Sequence, residues 1–579
     1  MAASISSLFF MLVIQAASMA IAGTQTMNVI KSTCRSTPHP ELCIKTLTDP
    51  SVILSIPIDP TLINFAAHTL DSAITKAKKL SSFLADTGSG GIGGIVQVQK
   101  GCVDDCKELH QISIACLQRS AAICDKKGGT AASLSTREMS DINIYLSAAL
   151  TNKNTCLQGL STATGPKKDS LVSYFTDAYK YVSNSLAIVA KSKASKLPPH
   201  PTSVHNRRLM GTMIPSWLPL RDRKILQLGP ITIGGGSNNE GNNEGNNEGN
   251  NDGNNDNNDD GKGDENTLTL KVAADGSETY RTVSEAVLNV PEKSNSRTII
   301  QIKAGVYEEN VVIPSNKINI AFVGEGSDVT TISGNRSVAD GWTTFHSATV
   351  AVSGSGFLAR DITFENYAGP AKGQAVAIRI NADLTAFYHC NFLGYQDTLY
   401  VHSFRQFYRE CNILGTVDFI FGNSATIIQN SNIIARLPLH GQYNTITAQG
   451  RDDPNEDTGI SIQRCSILAS QELAQNPDSA KTYLGRPWRI YSRTVYMDSL
   501  IDRLVDPAGW KNWDGDRGLD TLYYGEYANT GPGSNTDGRV NWAGYHIMDR
   551  QDASPFTVSE FIQGDQWLDS TNFPYDNSV

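Results

Sequence analysis

Across residues 27–195, apolar side chains return at three- and four-residue steps, as in Leu62-Ile63-Asn64-Phe65-Ala66-Ala67-His68-Thr69-Leu70, the spacing that gathers them on one face of a helix. Residues 142–150 and 171–190 repeat the pattern. Four such segments with short joins predict an antiparallel four-helix bundle. From residue 267 to 579 the pattern shortens, and β-rich stretches at 357–364, 386–392, 406–413, 426–434, 460–467 and 494–500 alternate with Gly, Asn and Asp. They read as successive rungs of a solenoid whose inserted loops vary in length. An all-α domain followed by an all-β domain is the expected architecture.

The stretch between the two follows neither pattern. Residues 234–266 repeat Asn-Asn-Glu-Gly and Asn-Asn-Asp-Gly, as at Asn238-Asn239-Glu240-Gly241. With almost no apolar content they cannot offset their ordering entropy, so a flexible acidic tether is expected. Ahead of it, 196–233 is a Pro-rich linker with two basic sites, Arg207-Arg208-Leu209-Met210 and Arg223-Lys224-Ile225-Leu226, and exposed linkers of this kind are where proteases cut. At the N-terminus an apolar run beginning Ser7-Leu8-Phe9-Phe10 and ending at Ala20-Ile21-Ala22 fits a signal peptide over residues 1–22. An uncleaved anchor is the competing reading, disfavoured because the run, interrupted by Gln15, barely spans a bilayer.

Export makes disulfides available to the ten cysteines. Cys34 and Cys43 are close enough in sequence to staple a hairpin, and Cys106 and Cys156 lie on segments that a bundle would bring together. Cys390, Cys411, Ser431 and Cys465 hold the same place in their rungs, which reads as an inward column of small residues in preference to a Cys390–Cys411 bridge. The net charge of −9 is unevenly spread: +10 over residues 1–239, −8 over 240–266 and −11 over 267–579. Opposite net charges on the two folded parts predict mutual attraction.

The candidate chemistry lies in the second part. Asp397, in Gly394-Tyr395-Gln396-Asp397-Thr398, and Asp418, in Gly415-Thr416-Val417-Asp418-Phe419-Ile420-Phe421-Gly422, each follow an aromatic-Cys segment and are one rung apart. Parallel rungs stack ~4.8 Å apart, so the two carboxylates are expected side by side on the outer surface. Only Asp418 is wrapped in apolar neighbours. Two carboxylates in unlike environments suit divided acid and nucleophile roles. No Gly-x-Ser-x-Gly elbow and no His-Glu-x-x-His or Cys-x-x-Cys set occurs, which disfavours a serine-elbow esterase and a metal site. Asn335-Arg336-Ser337 is the sole glycosylation sequon.

These two motifs, with Gly373-Gln374-Ala375-Val376-Ala377, Thr447-Ala448-Gln449-Gly450-Arg451 and Tyr483-Leu484-Gly485-Arg486-Pro487-Trp488, strongly resemble the plant pectin methylesterases over residues 267–579. Residues 27–195, through Cys34, Cys43, Asp105-Cys106-Lys107-Glu108-Leu109 and the segment ending at Cys156, resemble the pectin methylesterase inhibitor domain. The resemblance implies a right-handed parallel β-helix behind a four-helix inhibitor-like pro-region, with Cys34–Cys43 and Cys106–Cys156 bridges. It assigns Asp418 as nucleophile toward the methyl ester of galacturonate, Asp397 as general acid and then base, Gln374 and Gln396 as oxyanion donors, and Arg486 as the guanidinium that holds Asp418 ionised. Trp488 would offer a flat face to the sugar, with Tyr395 and Phe419 extending that platform.

No cofactor is implied. The implied partners are methyl-esterified pectin, a processing protease at the linker and the chain's own inhibitor-like domain, in a secreted, monomeric cell-wall protein with no nucleic-acid partner. The family pattern often has Cys at the position of Ser431, and the bridge to Cys465 cannot form here. A pectate lyase, a galacturonan hydrolase and a non-catalytic pectin-binding protein are the alternatives. The amide, carboxylate and arginine set fits ester hydrolysis better than any of them.

Overall fold

A computed structural model describes residues 26–57, 60–86, 88, 92–125, 134–195 and 268–579. The expected signal peptide, the linker with its basic sites and the Asn/Gly-rich acidic repeat lie outside the described residues. Four long helices, α1 (Leu62–Ala85), α2 (Cys102–Asp125), α3 (Thr136–Gly159) and α4 (Lys168–Ala194), form the bundle. Each packs against two of the others, closing a square. Capping boxes at Thr61 and Ser135 start α1 and α3. The core is built from Phe65, Leu70, Leu109, Leu146, Phe175 and Leu186, all fully buried. Cys34–Cys43 and Cys106–Cys156 are bridged as the resemblance implied, while Cys102, Cys116 and Cys124 are free. No helix among the described residues is long and apolar enough to cross a membrane.

Residues 268–579 coil into a right-handed parallel β-helix of three sheets, with eleven, seven and eight strands. Along each sheet, neighbours are mostly every third strand of the chain, so one turn of the coil contributes one strand to each sheet. Each expected rung resolves into two strands. Residues 386–392, for example, span Thr385–Tyr388 and Asn391–Leu393. The split falls at left-handed, non-glycine residues such as Asp361, His389, Glu410, Asn430, Arg464 and Asp498, which turn the chain without the Gly or Pro that marks a corner in sequence. Inside the coil, Phe322, Phe357, Phe387 and Tyr408 form a continuous column of ring contacts, edge-on, tilted and then stacked, with centroid steps of 5.0, 5.8 and 4.9 Å. Cys390, Cys411, Ser431 and Cys465 make the inward column, with Ser431 Oγ accepting from the Cys411 N–H at 3.1 Å.

Candidate functional site

Successive turns of the seven-stranded sheet deliver the acidic pair. Strands Leu399–Ser403 and Ile420–Gly422 pair with Leu399 opposite Ile420 and Tyr400 opposite Phe421. Asp397 and Asp418, each two residues before its strand, therefore stack in equivalent positions, and the Asp397 N–H donates to the Val417 carbonyl at 3.1 Å. Both have left-handed backbones, φ 63° and 52°, at a cost of roughly 1 kcal/mol each for a residue with a Cβ. In this fold such residues usually turn the eleven-stranded sheet. The acidic pair occupies a different corner, just ahead of two strands of the seven-stranded sheet.

The surroundings of the two carboxyls differ sharply. Asp418 is held by a fork from Arg486, with Nε to Oδ1 at 2.7 Å and Nη2 to Oδ2 at 2.5 Å, the bidentate geometry that most strongly favours an ionised carboxylate. Thr445 adds its hydroxyl to Oδ1 at 2.6 Å and accepts the Asp418 N–H at 2.9 Å. Asp397 makes no side-chain hydrogen bond to another described residue. Burial first, and then the negative charge of Asp418, push its carboxyl well above the usual range, with Arg486 opposing. Burial and the neighbouring carboxylate thus favour the protonated form of Asp397, while the Arg486 fork suits a carboxylate at Asp418.

The expectation of an outer-surface pair needs correction, because Asp397 and Asp418 are 7% and 4% exposed. Arg486 and Thr445 cover Asp418 from neighbouring turns, which adjacency along the chain does not reveal. Arg486 follows strand Thr482–Gly485, whose partner strand Asn444–Gln449 carries Thr445, and its N–H donates to the Thr447 carbonyl at 2.9 Å. A Cβ on Gly485 would lie 2.1 Å from Thr447 Oγ1, so glycine is required for these strands to approach and bring Arg486 onto Asp418. Gln374 and Gln396 are half-buried on adjacent turns, joined by the Ala375 N–H to the Gln396 carbonyl at 3.2 Å. Neither side-chain amide bonds another described residue.

Trp488 is half-buried over Gly450, edge-on to Phe421 at 6.0 Å, and Phe421 stacks on Tyr400 at 4.1 Å. This aromatic floor replaces the expected platform. Phe419 is fully buried inside the coil because alternate residues face inward. Tyr395 is engaged by Arg436, which lies 3.9 Å over its ring and donates to its hydroxyl at 2.8 Å. Three residues near the carboxylates escaped the sequence reading. They are Thr445, Tyr443, whose hydroxyl accepts from Arg486 Nη1 at 3.0 Å, and Trp513, whose ring faces the Arg486 guanidinium at 4.2 Å. For Thr445 the signal lay in rung register, since it is on the strand that pairs with the one following Asp418.

The helical bundle lies on this floor. Thr151, Asn154, Thr155 and Gln158 of α3 face Tyr400, Asn423 and Trp488. Thr155 Oγ1 bonds His402 Nε2 at 2.9 Å, and the Asn423 amide donates to Thr151 Oγ1 at 2.8 Å. Farther along, Asp105 of α2, buried to 1% exposure, bonds His346 and Thr343. Glu108 lies 3.6 Å from Arg379, Asp141 2.8 Å from Arg405, and Lys193 2.6 Å from Asp457. Among these interdomain pairs the bundle supplies three carboxylates and one cation, opposite to the sense of the net charges. Docking therefore depends on local pairing more than on overall charge, as expected at separations within a Debye length.

The family model for pectinesterase matches residues 269–565, and that for plant invertase/pectin methylesterase inhibitor matches residues 28–188. The chain is 48% identical over 548 residues to "Probable pectinesterase/pectinesterase inhibitor 12" of Arabidopsis thaliana, covering 95% of this chain and 93% of that protein. It is 40% identical over 556 residues to "Pectinesterase/pectinesterase inhibitor U1" of Solanum lycopersicum, covering 94% and 88%. Among solved structures, the pectin methylesterase from carrot aligns at 56% identity with a TM-score of 0.53, covering 54% of this chain and 98% of that one.

Proposed function

Because this chain belongs to the pectinesterase family and carries an N-terminal domain of the plant invertase/pectin methylesterase inhibitor family, it is a pectin methylesterase, and we propose that Asp418 and Asp397 perform its chemistry under the control of the bundle. It hydrolyses methyl esters of pectin to methanol and free carboxylate. The observation that carries the assignment is the stacked pair of aspartates with unequal surroundings, one forked by Arg486 and the other buried without a side-chain partner among the described residues, its carboxyl pushed well above the usual range.

In the proposed sequence the Asp418 carboxylate attacks the ester carbonyl carbon, C6 of galacturonate. A C–O bond forms while the carbonyl π pair moves onto oxygen. The amides of Gln374 and Gln396 stabilise that oxyanion by ~3 kcal/mol each. Collapse breaks the bond to methoxide, which takes the Asp397 proton and leaves as methanol, and a mixed anhydride of Asp418 remains. Asp397, now a carboxylate, accepts a proton from water as its oxygen adds to C6. Departure of Asp418 releases the free acid and restores both groups. Arg486 stabilises the Asp418 carboxylate at the start and as the leaving group. Trp488, Phe421 and Tyr400 form the surface for the sugar chain.

The bundle occupies that surface, so the intact chain is the inhibited form. A protease acting within 196–233 separates the domains, and export to the cell wall, with glycosylation at the exposed Asn335, completes the reading. A homologous chain matched over 98% of its length by little more than half of this one has a solved structure, which supports folding of residues 268–579 without the bundle. Turnover of methylated pectin by that fragment in ¹⁸O-water tests the chemistry. The label is expected in the galacturonate carboxylate and absent from methanol, and label in methanol would exclude attack at the carbonyl.

A further inference from the structure

Thr445 lies in no motif that marks the site, yet its hydroxyl makes two of the bonds that fix Asp418. We infer that Thr445 is a positioning residue that makes Oδ2 the attacking oxygen of Asp418, an inference that rests on Asp418 being the nucleophile. Each carboxylate oxygen offers two lone-pair directions. Oδ1 receives Thr445 Oγ1 at 2.6 Å and Arg486 Nε at 2.7 Å, which occupies both. Oδ2 receives Arg486 Nη2 and keeps one lone pair for a carbonyl carbon.

The direction of the Thr445 hydroxyl is also determined. Its oxygen accepts the Asp418 N–H at 2.9 Å, so its single proton is left for Oδ1. The same contact holds the left-handed backbone of Asp418, φ 52°. Thr445 is itself held on several sides. It is fully buried in strand Asn444–Gln449, its N–H donates to the Thr416 carbonyl at 3.2 Å, and its carbonyl accepts from the Phe419 N–H at 3.4 Å. Its backbone thus brackets Asp418 on both sides in sequence.

This arrangement suits both halves of the reaction. As the Oδ2 lone pair bonds to C6 and the carbonyl π pair moves to its oxygen, Oδ1 becomes the carbonyl oxygen of the anhydride. It keeps Thr445 and Arg486 Nε as donors throughout. When water displaces the acyl group, negative charge returns to a carboxylate already hydrogen-bonded in its resting geometry, so little reorganisation is needed.

The test compares Thr445→Val, which keeps shape and removes the hydroxyl, with Thr445→Ser, which keeps the hydroxyl, both in fragment 268–579 alongside Asp418→Asn. Methanol release from methylated pectin gives kcat and KM, and thermal melting checks folding. Thr445→Val is expected to lower kcat roughly 10- to 100-fold with KM within about twofold, and Thr445→Ser to stay within about threefold of the parent. A valine variant with parental kcat, or a serine variant as slow as the valine one, overturns the inference. If Asp418→Asn is inactive while Thr445→Val is unaffected, the positioning role alone fails. An active Asp418→Asn removes the nucleophile assignment and this inference with it. Should the valine variant not fold, Thr445→Ala against Thr445→Ser makes the same comparison.

Discussion

Asp418→Asn in the isolated esterase fragment is expected to lower kcat for methanol release by roughly 10⁴-fold or more, with KM little changed. Asparagine is nearly isosteric and retains an acceptor for Thr445 and one arm of Arg486, so the site keeps its shape. What it loses is the negative charge and the nucleophilic lone pair. Arg486 then faces a neutral amide in a setting where it is 16% exposed. Trp513 and Tyr443 still hold it, so activity is expected to fall far more than stability. Methanol release and melting temperature, measured together, separate these effects. A variant that melts like the parent yet retains more than about one hundredth of its rate would remove Asp418 from the chemistry.

The second large effect concerns the bundle. Fragment 268–579 is expected to release methanol at least about 10²-fold faster than the intact chain, because the floor that must carry the sugar polymer is already covered. Tyr400 and Phe421 are each 3% exposed beneath the docked helices. An intramolecular inhibitor acts at an effective concentration near millimolar, which free substrate must overcome. Cutting the linker removes that advantage, and the two parts should then show inhibition that weakens on dilution. Thr155→Arg in the intact chain introduces a bulky cation beside buried His402, whose ring bonds Thr155. Burial keeps that ring neutral by pulling its titration well below the usual range, so the variant should undock the bundle and restore rate without cleavage. Equal rates for intact chain and fragment would show that the docked bundle does not inhibit.

Much of this was legible in the sequence because a solenoid repeats its geometry. The 21-residue recurrence from Asp397 to Asp418 and the Cys390, Cys411, Ser431 and Cys465 column both report the same coil register, and the aligned strands reproduce it. Helical periodicity located the bundle for the same reason. The features that escaped depend on which turn lies beside which. Thr445 is 27 residues from Asp418 and reaches it across one rung. The loop carrying Trp513 returns to Arg486 with no repeat to mark it. Phe419 was misread because it adjoins Asp418 in the chain, whereas alternation turns it inward. The burial of both aspartates arises from side chains on other turns, and apolar flanks around Asp418 gave no hint that Asp397 would be equally enclosed. Local charge pairing between the domains was likewise invisible to net charge, which pointed the other way.

The division of labour between the two aspartates is tested most directly by stalling the reaction between its halves. Asp397→Asn lacks the proton that methanol requires and the base that water requires, but a nitrophenyl ester of galacturonan needs no acid to lose its leaving group. The variant should therefore give a burst of nitrophenolate equal to the enzyme concentration and then stop. Borohydride quenching of the stalled species, followed by peptide mass spectrometry, should find homoserine at position 418. Steady turnover without a burst, or reduction at any residue other than Asp418, would contradict the account.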